Sequence, residues 1–323
     1  MDFLRDHQRK ESEMALNMKG KSLASLYDLT REEIEQILKT SELLKLQNFR
    51  GEAHPLLKGK TLGMIFEKAS TRTRVSFEVG MWQLGGYALY LSAGDLQLGR
   101  GETIGDTAQV LSRYVDGIMA RVFSHQTILD LVKYSQVPVI NGLSDYTHPC
   151  QGLADLFTIY EKKGRLEGLK VAYVGDGNNV AHSLLYGCSK MGAHIVIGSP
   201  KGYEPKGEVV SRATEEGRKN GSTVKVTNDP KEAVREADVV YTDVWTSMGQ
   251  EKEKEERLKL FNPYQINPQL VKGAREDYIF MHCLPAHRGE EVVNEVADSK
   301  NSVIFDQAEN RMHTQKALMA LIM

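Results

Sequence analysis

The feature that most constrains this chain is a rhythm: short, nearly continuous apolar runs alternate with longer stretches whose apolar residues recur at helical spacing. Runs at 62–66, 87–91, 118–120 and 138–140 read as strands, separated by segments long enough for helical crossovers. Consecutive buried strands joined by helices make a parallel sheet. A helix over 151–163 then leads through Gly164 and Gly168 into a second series at 171–174, 194–197, 223–226, 239–242, 278–281 and 303–305. The expectation is an α/β protein of two domains, each a parallel sheet flanked by helices, with the active site in the cleft between them.

Local signals agree with this division. Thr30 and Glu33 form a capping box ahead of Ile34, Ile37 and Leu38 on one helical face, so folded structure is expected from about Leu23. Asp229-Pro230-Lys231-Glu232 reads as another helix start, with Asp229 as cap, Pro230 at the first helical position and Glu232 completing the box. At 323 residues the chain is long for one domain. The reading is an N-terminal extension over 1–20, a first domain over 21–150, and a second over 151–306. The final helix, 307–323, packs back on the first.

Composition excludes several classes. A net charge of -2 lacks the basic excess of a nucleic-acid binder. No apolar run is long enough to span a bilayer, and MDFLRDHQRKESEMALNMKG is too charged for a signal peptide. Cys150, Cys188 and Cys283 form no CxxC pair, so reduced thiols in a cytoplasmic protein are expected. The nine histidines show neither HxH nor HExxH spacing, and no metal or cofactor is expected. Small molecules are the expected partners.

Chemistry-bearing residues fall just past the carboxyl ends of the expected strands: Ser70, Arg121, His148, Asn179, Asp243 and Cys283. Ligands bind at that edge of a parallel sheet, and six such positions on two sheets converge only if the sheets face each other. Ser70-Thr71-Arg72-Thr73-Arg74 opens a helix in which Val75, Val79 and Trp82 recur at i, i+4 and i+7. Free backbone N–H groups, hydroxyls, the helix dipole and guanidinium groups there would all favour an anion. A Walker phosphate loop is absent. Val174-Gly175-Asp176-Gly177-Asn178-Asn179-Val180 raises a dinucleotide site, but Val180 stands at the third glycine position and the strand at 194–197 ends in Gly198-Ser199 instead of an acid.

FEKASTRTR is similar to the carbamoyl-phosphate signature of the aspartate and ornithine carbamoyltransferase family, and His148-Pro149-Cys150-Gln151 resembles that family's second signature. The resemblance runs from Gly20 to the last helix, and it implies that residues 21–150 bind carbamoyl phosphate and 151–306 the acceptor. It implies donor contacts from Ser70, Thr71, Arg72 and Thr73, and from Arg121 to the phosphate and carbonyl oxygen. His148 would donate to that carbonyl, Gln151 would hold the carbamoyl NH2, and Arg311 in ENRMH would return to the donor. Cys283 and Leu284 would lie beside the donor as well. Gln97 in DLQLGRGE would contribute to the donor site, of a neighbouring subunit in a homotrimer.

The acceptor segments, Asp243-Val244-Trp245-Thr246-Ser247-Met248-Gly249 and His282-Cys283-Leu284-Pro285, resemble the ornithine-specific pattern of the family. They imply Asp243 on the α-ammonium, Asn179, Ser247 and Met248 on the amino-acid end, and Cys283 beside the attacking nitrogen. A hinge at Gly249 would close the loop over ornithine. The implied reaction is transfer of the carbamoyl group of carbamoyl phosphate to the side-chain amine of ornithine, giving citrulline and phosphate. A carbamoyltransferase for another amine, such as putrescine, and a non-catalytic ligand-binding protein of the same fold are the competing readings.

Overall fold

The computed structural model describes residues 15–92, 94, 101–246 and 253–323. Helix α1 (Arg31–Phe49) starts at Thr30, whose hydroxyl accepts from the Glu33 N–H while the Glu33 carboxylate takes the Thr30 N–H, so the capping box is present. The chain continues through β1 (Thr61–Phe66), α2 (Thr71–Gln83), β2 (Tyr87–Ser92), α3 (Ile104–Leu111), β3 (Gly117–Arg121), α4 (His125–Tyr134) and β4 (Val139–Leu143). Helix α5 (Pro149–Lys163) ends at Gly164, in the left-handed conformation with φ 72°, and crosses to the second series.

That series runs β5 (Lys170–Val174), α6 (Asn179–Lys190), β6 (His194–Gly198), α7 (Gly207–Lys219), β7 (Val224–Thr227), α8 (Pro230–Val234), β8 (Val239–Thr242), α9 (Lys254–Phe261), α10 (Pro268–Val271), β9 (Ile279–His282), α11 (Asn294–Ala297) and α12 (Ile304–Ile322). All pairings within the two sheets are parallel, in the orders β2-β1-β3-β4 and β7-β6-β5-β8-β9. Each sheet therefore reverses its strand order once, between β1 and β3 in the first and between β5 and β8 in the second. Those crevices are where an α/β sheet offers a ligand the ends of two diverging loops. Helix α12 packs against α1, α2 and α5.

Three expectations need correction, and one expected helix is present but buries a face that its apolar spacing does not mark. Residues 303–305 are not a strand: the Phe280 N–H donates to the Asn301 carbonyl and Phe280↔Ser302 is a single bridge, after which the chain turns into α12 at Ile304. The stripe Val75, Val79, Trp82 is not the buried face of α2. Val75 and Trp82 are 50% and 75% exposed, and the helix instead buries Thr73, Ser76, Phe77, Gly80 and Met81. Asp229 does cap α8 through the Lys231 N–H, but the Glu232 carboxylate goes to Thr227 and Lys225 instead of closing a box. Ordered packing also begins before Leu23, because Met18 is buried and the Gly20 N–H donates to the Ile322 carbonyl at 2.9 Å.

Candidate active site

A cavity of about 760 Å³ lies between the carboxyl ends of the two sheets, and Ser70, Arg121, His148, Asn179, Asp243 and Cys283 all line it. The β1–β3 reversal supplies the first group. Ser70 caps α2, its hydroxyl accepting from the Thr73 N–H at 3.3 Å, and this helix start lines the cavity with Ser70, Arg72 and Thr73, where the helix dipole favours an anion. Thr71 opens the same turn but is exposed and is not among the cavity-lining side chains. Arg121 ends β3 at an irregularity, where Ala120 pairs with Asn141 but Arg121 pairs with Leu143. The skipped residue is Gly142, where a Cβ would sit 2.5 Å from the Met119 sulfur, so the bulge that re-aims Arg121 depends on a missing side chain.

From α12, Arg311 reaches back into the same space, its Nη1 donating to Gln151 Oε1 at 2.8 Å and its Nη2 to Thr73 Oγ1 at 3.4 Å. Arg72, Arg121 and Arg311 are close enough to repel one another. Burial, reinforced by Arg311 and Arg72, pushes the Arg121 guanidinium down to about 10. Burial and the same positive neighbours hold His148 well below its ordinary value, so it is a neutral imidazole. Three like charges gathered in a partly dry pocket make a site for a multiply charged anion.

The β5–β8 reversal supplies the second group. Asp243, just past β8, is held on both oxygens: Oδ2 accepts from Asn178 Nδ2 at 2.7 Å, and Oδ1 from the Val244 N–H at 2.8 Å and the Cys283 thiol at 2.9 Å. Burial and the neighbouring Asp243 carboxylate raise the Cys283 thiol well above its usual range, so the sulfur stays protonated. Asn179 opens α6 and donates to the Ser144 carbonyl at 2.6 Å, a contact that crosses from the second series to the first. His282, fully buried, accepts the Leu284 N–H at Nδ1, 2.9 Å, and donates from Nε2 to Glu291 at 3.1 Å. This pair fixes the turn at Leu284, which has φ 58° and lines the cavity.

Asp243, His282 and Cys283 bring ligand-type atoms within 4.8 Å of one another. Both imidazole nitrogens of His282 are already engaged, so the trio does not suit a metal ion. Gln97, Ser247, Met248 and the Gly249 hinge lie outside the described residues.

Sequence reasoning overlooked Asp176, Asn178 and Arg257. Arg257 Nη1 donates to Asp176 at 2.9 Å and to the Trp245 carbonyl at 2.8 Å, anchoring the start of the acceptor segment. The signal was present in Val174-Gly175-Asp176-Gly177-Asn178-Asn179-Val180, weighed there only as a dinucleotide motif. Its Gly177 has a packing reason instead: a Cβ there would lie 2.2 Å from the Pro205 nitrogen.

Known proteins match this arrangement along nearly the whole chain. Residues 21–161 match the carbamoyl-P binding domain, and residues 167–322 the Asp/Orn binding domain, of aspartate/ornithine carbamoyltransferase. An ornithine carbamoyltransferase of Thermococcus kodakarensis is 63% identical over 310 residues, covering 96% of this chain and 98% of that protein. One from Bacillus subtilis is 59% identical over 304 residues, or 94% of each. The solved ornithine carbamoyltransferase from Pyrococcus furiosus superposes with a TM-score of 0.93 at 60% identity, over 96% of this chain and 99% of that one. With both halves matched in order and relatives this similar end to end, the chain belongs to the aspartate/ornithine carbamoyltransferase family.

Proposed function

We propose that the protein is an ornithine carbamoyltransferase, moving the carbamoyl group of carbamoyl phosphate onto the side-chain amine of L-ornithine to give L-citrulline and phosphate. The observation that carries this is the meeting, in one cavity, of a three-guanidinium anion pocket with the Asp243–Cys283 pair. Residues 21–150 hold the donor, 151–306 the acceptor, and the helix over 307–323 returns Arg311 to the donor side.

The phosphate of the donor sits at the start of α2 on Ser70, Thr71, Arg72 and Thr73, with Arg121, Arg311 and, from a neighbouring copy in a homotrimer, Gln97 around it. Arg121, His148 and Thr73 face the carbonyl oxygen, and Gln151 Oε1 with the Cys283–Leu284 turn faces the carbamoyl NH2. Asp243 takes the α-ammonium of ornithine, while Asn179, Ser247 and Met248 hold its amino-acid end.

The neutral side-chain amine attacks the carbamoyl carbon. A tetrahedral intermediate forms, the bond from carbon to the bridging oxygen breaks, and phosphate leaves with the electron pair and takes up the extra proton of the nitrogen. No enzyme nucleophile is needed, and the protonated state of Cys283 fits that. Loss of one oxyanion donor typically costs about 10²- to 10³-fold in turnover. Proximity in a closed cleft supplies much of the rest.

The three cysteines are unpaired, which suits a cytoplasmic enzyme. No helix of the described residues is long and apolar enough to cross a membrane. Exposed Phe49, Trp82, Tyr87 and Tyr114 offer apolar surface for the homotrimer, which sedimentation would test.

The deciding assay follows ureido product from carbamoyl phosphate against a panel of ornithine, putrescine and aspartate. Ornithine should be used far better than either alternative. Equal use of putrescine, which has no carboxylate, would remove ornithine as the acceptor, and no product with any amine would remove the transferase.

A further inference from the structure

The donor and acceptor sides of the cleft are tied together by a carboxylate that does not line it. Asp155 lies one helical turn beyond Gln151 on α5, has no solvent exposure and does not line the cavity. Its Oδ1 accepts two amide N–H groups, from Gln151 Nε2 at 2.8 Å and from Gln307 Nε2 at 2.7 Å. An amide that gives its N–H to a carboxylate must turn its oxygen the other way. Gln151 Oε1 thereby faces Arg311 Nη1 at 2.8 Å, on the donor side. Gln307 Oε1 faces the His282 backbone N–H at 2.9 Å, one residue before Cys283 on the acceptor side. The Tyr241 hydroxyl completes the cluster, 3.0 Å from Gln307 Nε2.

We propose that Asp155 is a positioning residue for carbamoyl transfer: by fixing the orientation of the Gln151 and Gln307 amides together, it aligns the Gln151–Arg311 donor contact with the Cys283 end of β9. The proposal rests on the carbamoyltransferase reading above. Its chemistry explains an otherwise costly choice. A buried carboxylate with no cation bonded to it is expensive, and a leucine, with the same branching pattern, would avoid the cost of burying charge. The carboxyl is indeed pushed up to about 7 by burial, against the opposing effect of its amide partners and Arg311. The neighbouring Tyr241 hydroxyl also favours the charged form of this carboxyl.

Packing of α12 on α5 also has polar contacts that do not involve Asp155. One turn further along, Asn310 Nδ2 donates to Thr158 Oγ1 at 2.9 Å and to Glu161 at 2.6 Å, and Lys45 joins the same cluster.

The test compares Asp155→Leu, Asp155→Asn and Gln307→Leu, reading kcat and ornithine KM from citrulline formation and carbamoyl phosphate Kd from calorimetry. Asp155→Leu should lower kcat at least ~10-fold and weaken both ligands. Asp155→Asn keeps a carbonyl oxygen able to accept both amide N–H groups, and should hold kcat within ~3-fold of wild type. Gln307→Leu cuts the acceptor arm alone, so it should raise ornithine KM while leaving carbamoyl phosphate Kd within ~2-fold.

An Asp155→Asn enzyme as slow as Asp155→Leu would assign the effect to charge and overturn the proposal. So would an unaffected Asp155→Leu, or a Gln307→Leu that moves both ligands equally. If Asp155→Leu does not fold, Asp155→Asn and Gln307→Leu decide alone by the same criteria. Wild type in the same assay separates the two claims: no citrulline there sinks the functional reading, whereas active wild type leaves the variants to judge Asp155.

Discussion

His148 has no proton to surrender as an acid at neutral pH, because burial and the fields of Arg311, Arg121 and Arg72 hold it well below its ordinary value. It acts as a fixed N–H donor in one charge state at neutral and alkaline pH, and Arg121, at about 10, stays predominantly charged up to pH 9. The titration that remains is the substrate's own. A lysine-type amine with pKa near ~10.4 is neutral in only about one molecule in 2,500 at pH 7, and that fraction grows about tenfold per pH unit. Ornithine kcat/KM should therefore climb from pH 7 to 9 with no imidazole limb; a plateau beginning near pH 6.5 would show that His148 titrates in the mechanism. The Cys283 thiol, held protonated beside Asp243, positions without bonding covalently. Cys283→Ala should keep measurable turnover and raise ornithine KM by roughly 3- to 10-fold, the worth of one modest hydrogen bond. Mass spectrometry of wild type quenched during turnover should find no carbamoyl adduct on Cys283, and finding one would reverse that role.

At the scale of elements, the loop from β5 to α6 shows why a motif can be visible and still be misjudged. Gly177 has the Pro205 nitrogen 2.2 Å and the Glu204 carbonyl carbon 2.4 Å from where a Cβ would stand, and its N–H donates to the Tyr203 carbonyl at 2.8 Å. Backbone cannot yield as a side-chain tip can, so Gly177→Ala must move the loop and with it Asn178, which holds Asp243. The variant should lose about 1–3 kcal/mol of stability by overpacking and raise ornithine KM more than carbamoyl phosphate KM, as thermal unfolding and steady-state kinetics would show. Equal KM effects would mean the loop does not serve the acceptor.

The strands were legible because runs such as Val239–Thr242 are buried on both faces and end abruptly in polar residues. Residues 303–305 failed for the same reason, since a short apolar run at a buried helix start has no periodicity to distinguish it. Val75, Val79 and Trp82 marked a helix that is present, but helical spacing shows which residues share a face and not whether that face is covered. The six strand-end residues were readable from position alone. Arg257 was not, because it sits among the charges of Lys254–Phe261 and only the fold brings it to Asp176.

For the molecule as a whole, what matters is how the two sheets are held across the cavity, and His182 on α6 is one of the ties. Its Nδ1–H donates to the Tyr146 carbonyl, in the first half, at 2.7 Å, and its Nε2 accepts the Lys206 N–H at 3.2 Å. A protonated imidazole has no acceptor left for Lys206. Burial, with Lys206 adding to it and the Tyr146 bond opposing, pushes His182 down to about 4. As pH falls below the ordinary value near 6.5, the unfolded chain takes up a proton that the folded chain refuses. The contribution of His182 is thus intact above about pH 6.5 and is lost as pH drops toward 4, up to about 3 kcal/mol. Asp155 and Asp176, pushed up to about 7 and about 6, have the opposite sign: the folded state takes up their protons first and gains stability on acidification over the same range. The total curve blends these effects, so the test is a difference. His182→Gln replaces the ring with a side chain that cannot charge, and its Tm should fall less than that of wild type between about pH 7.5 and 4.5. Parallel Tm curves would mean that His182 does not resist protonation in the folded protein, and any acid loss of stability would have to come from elsewhere.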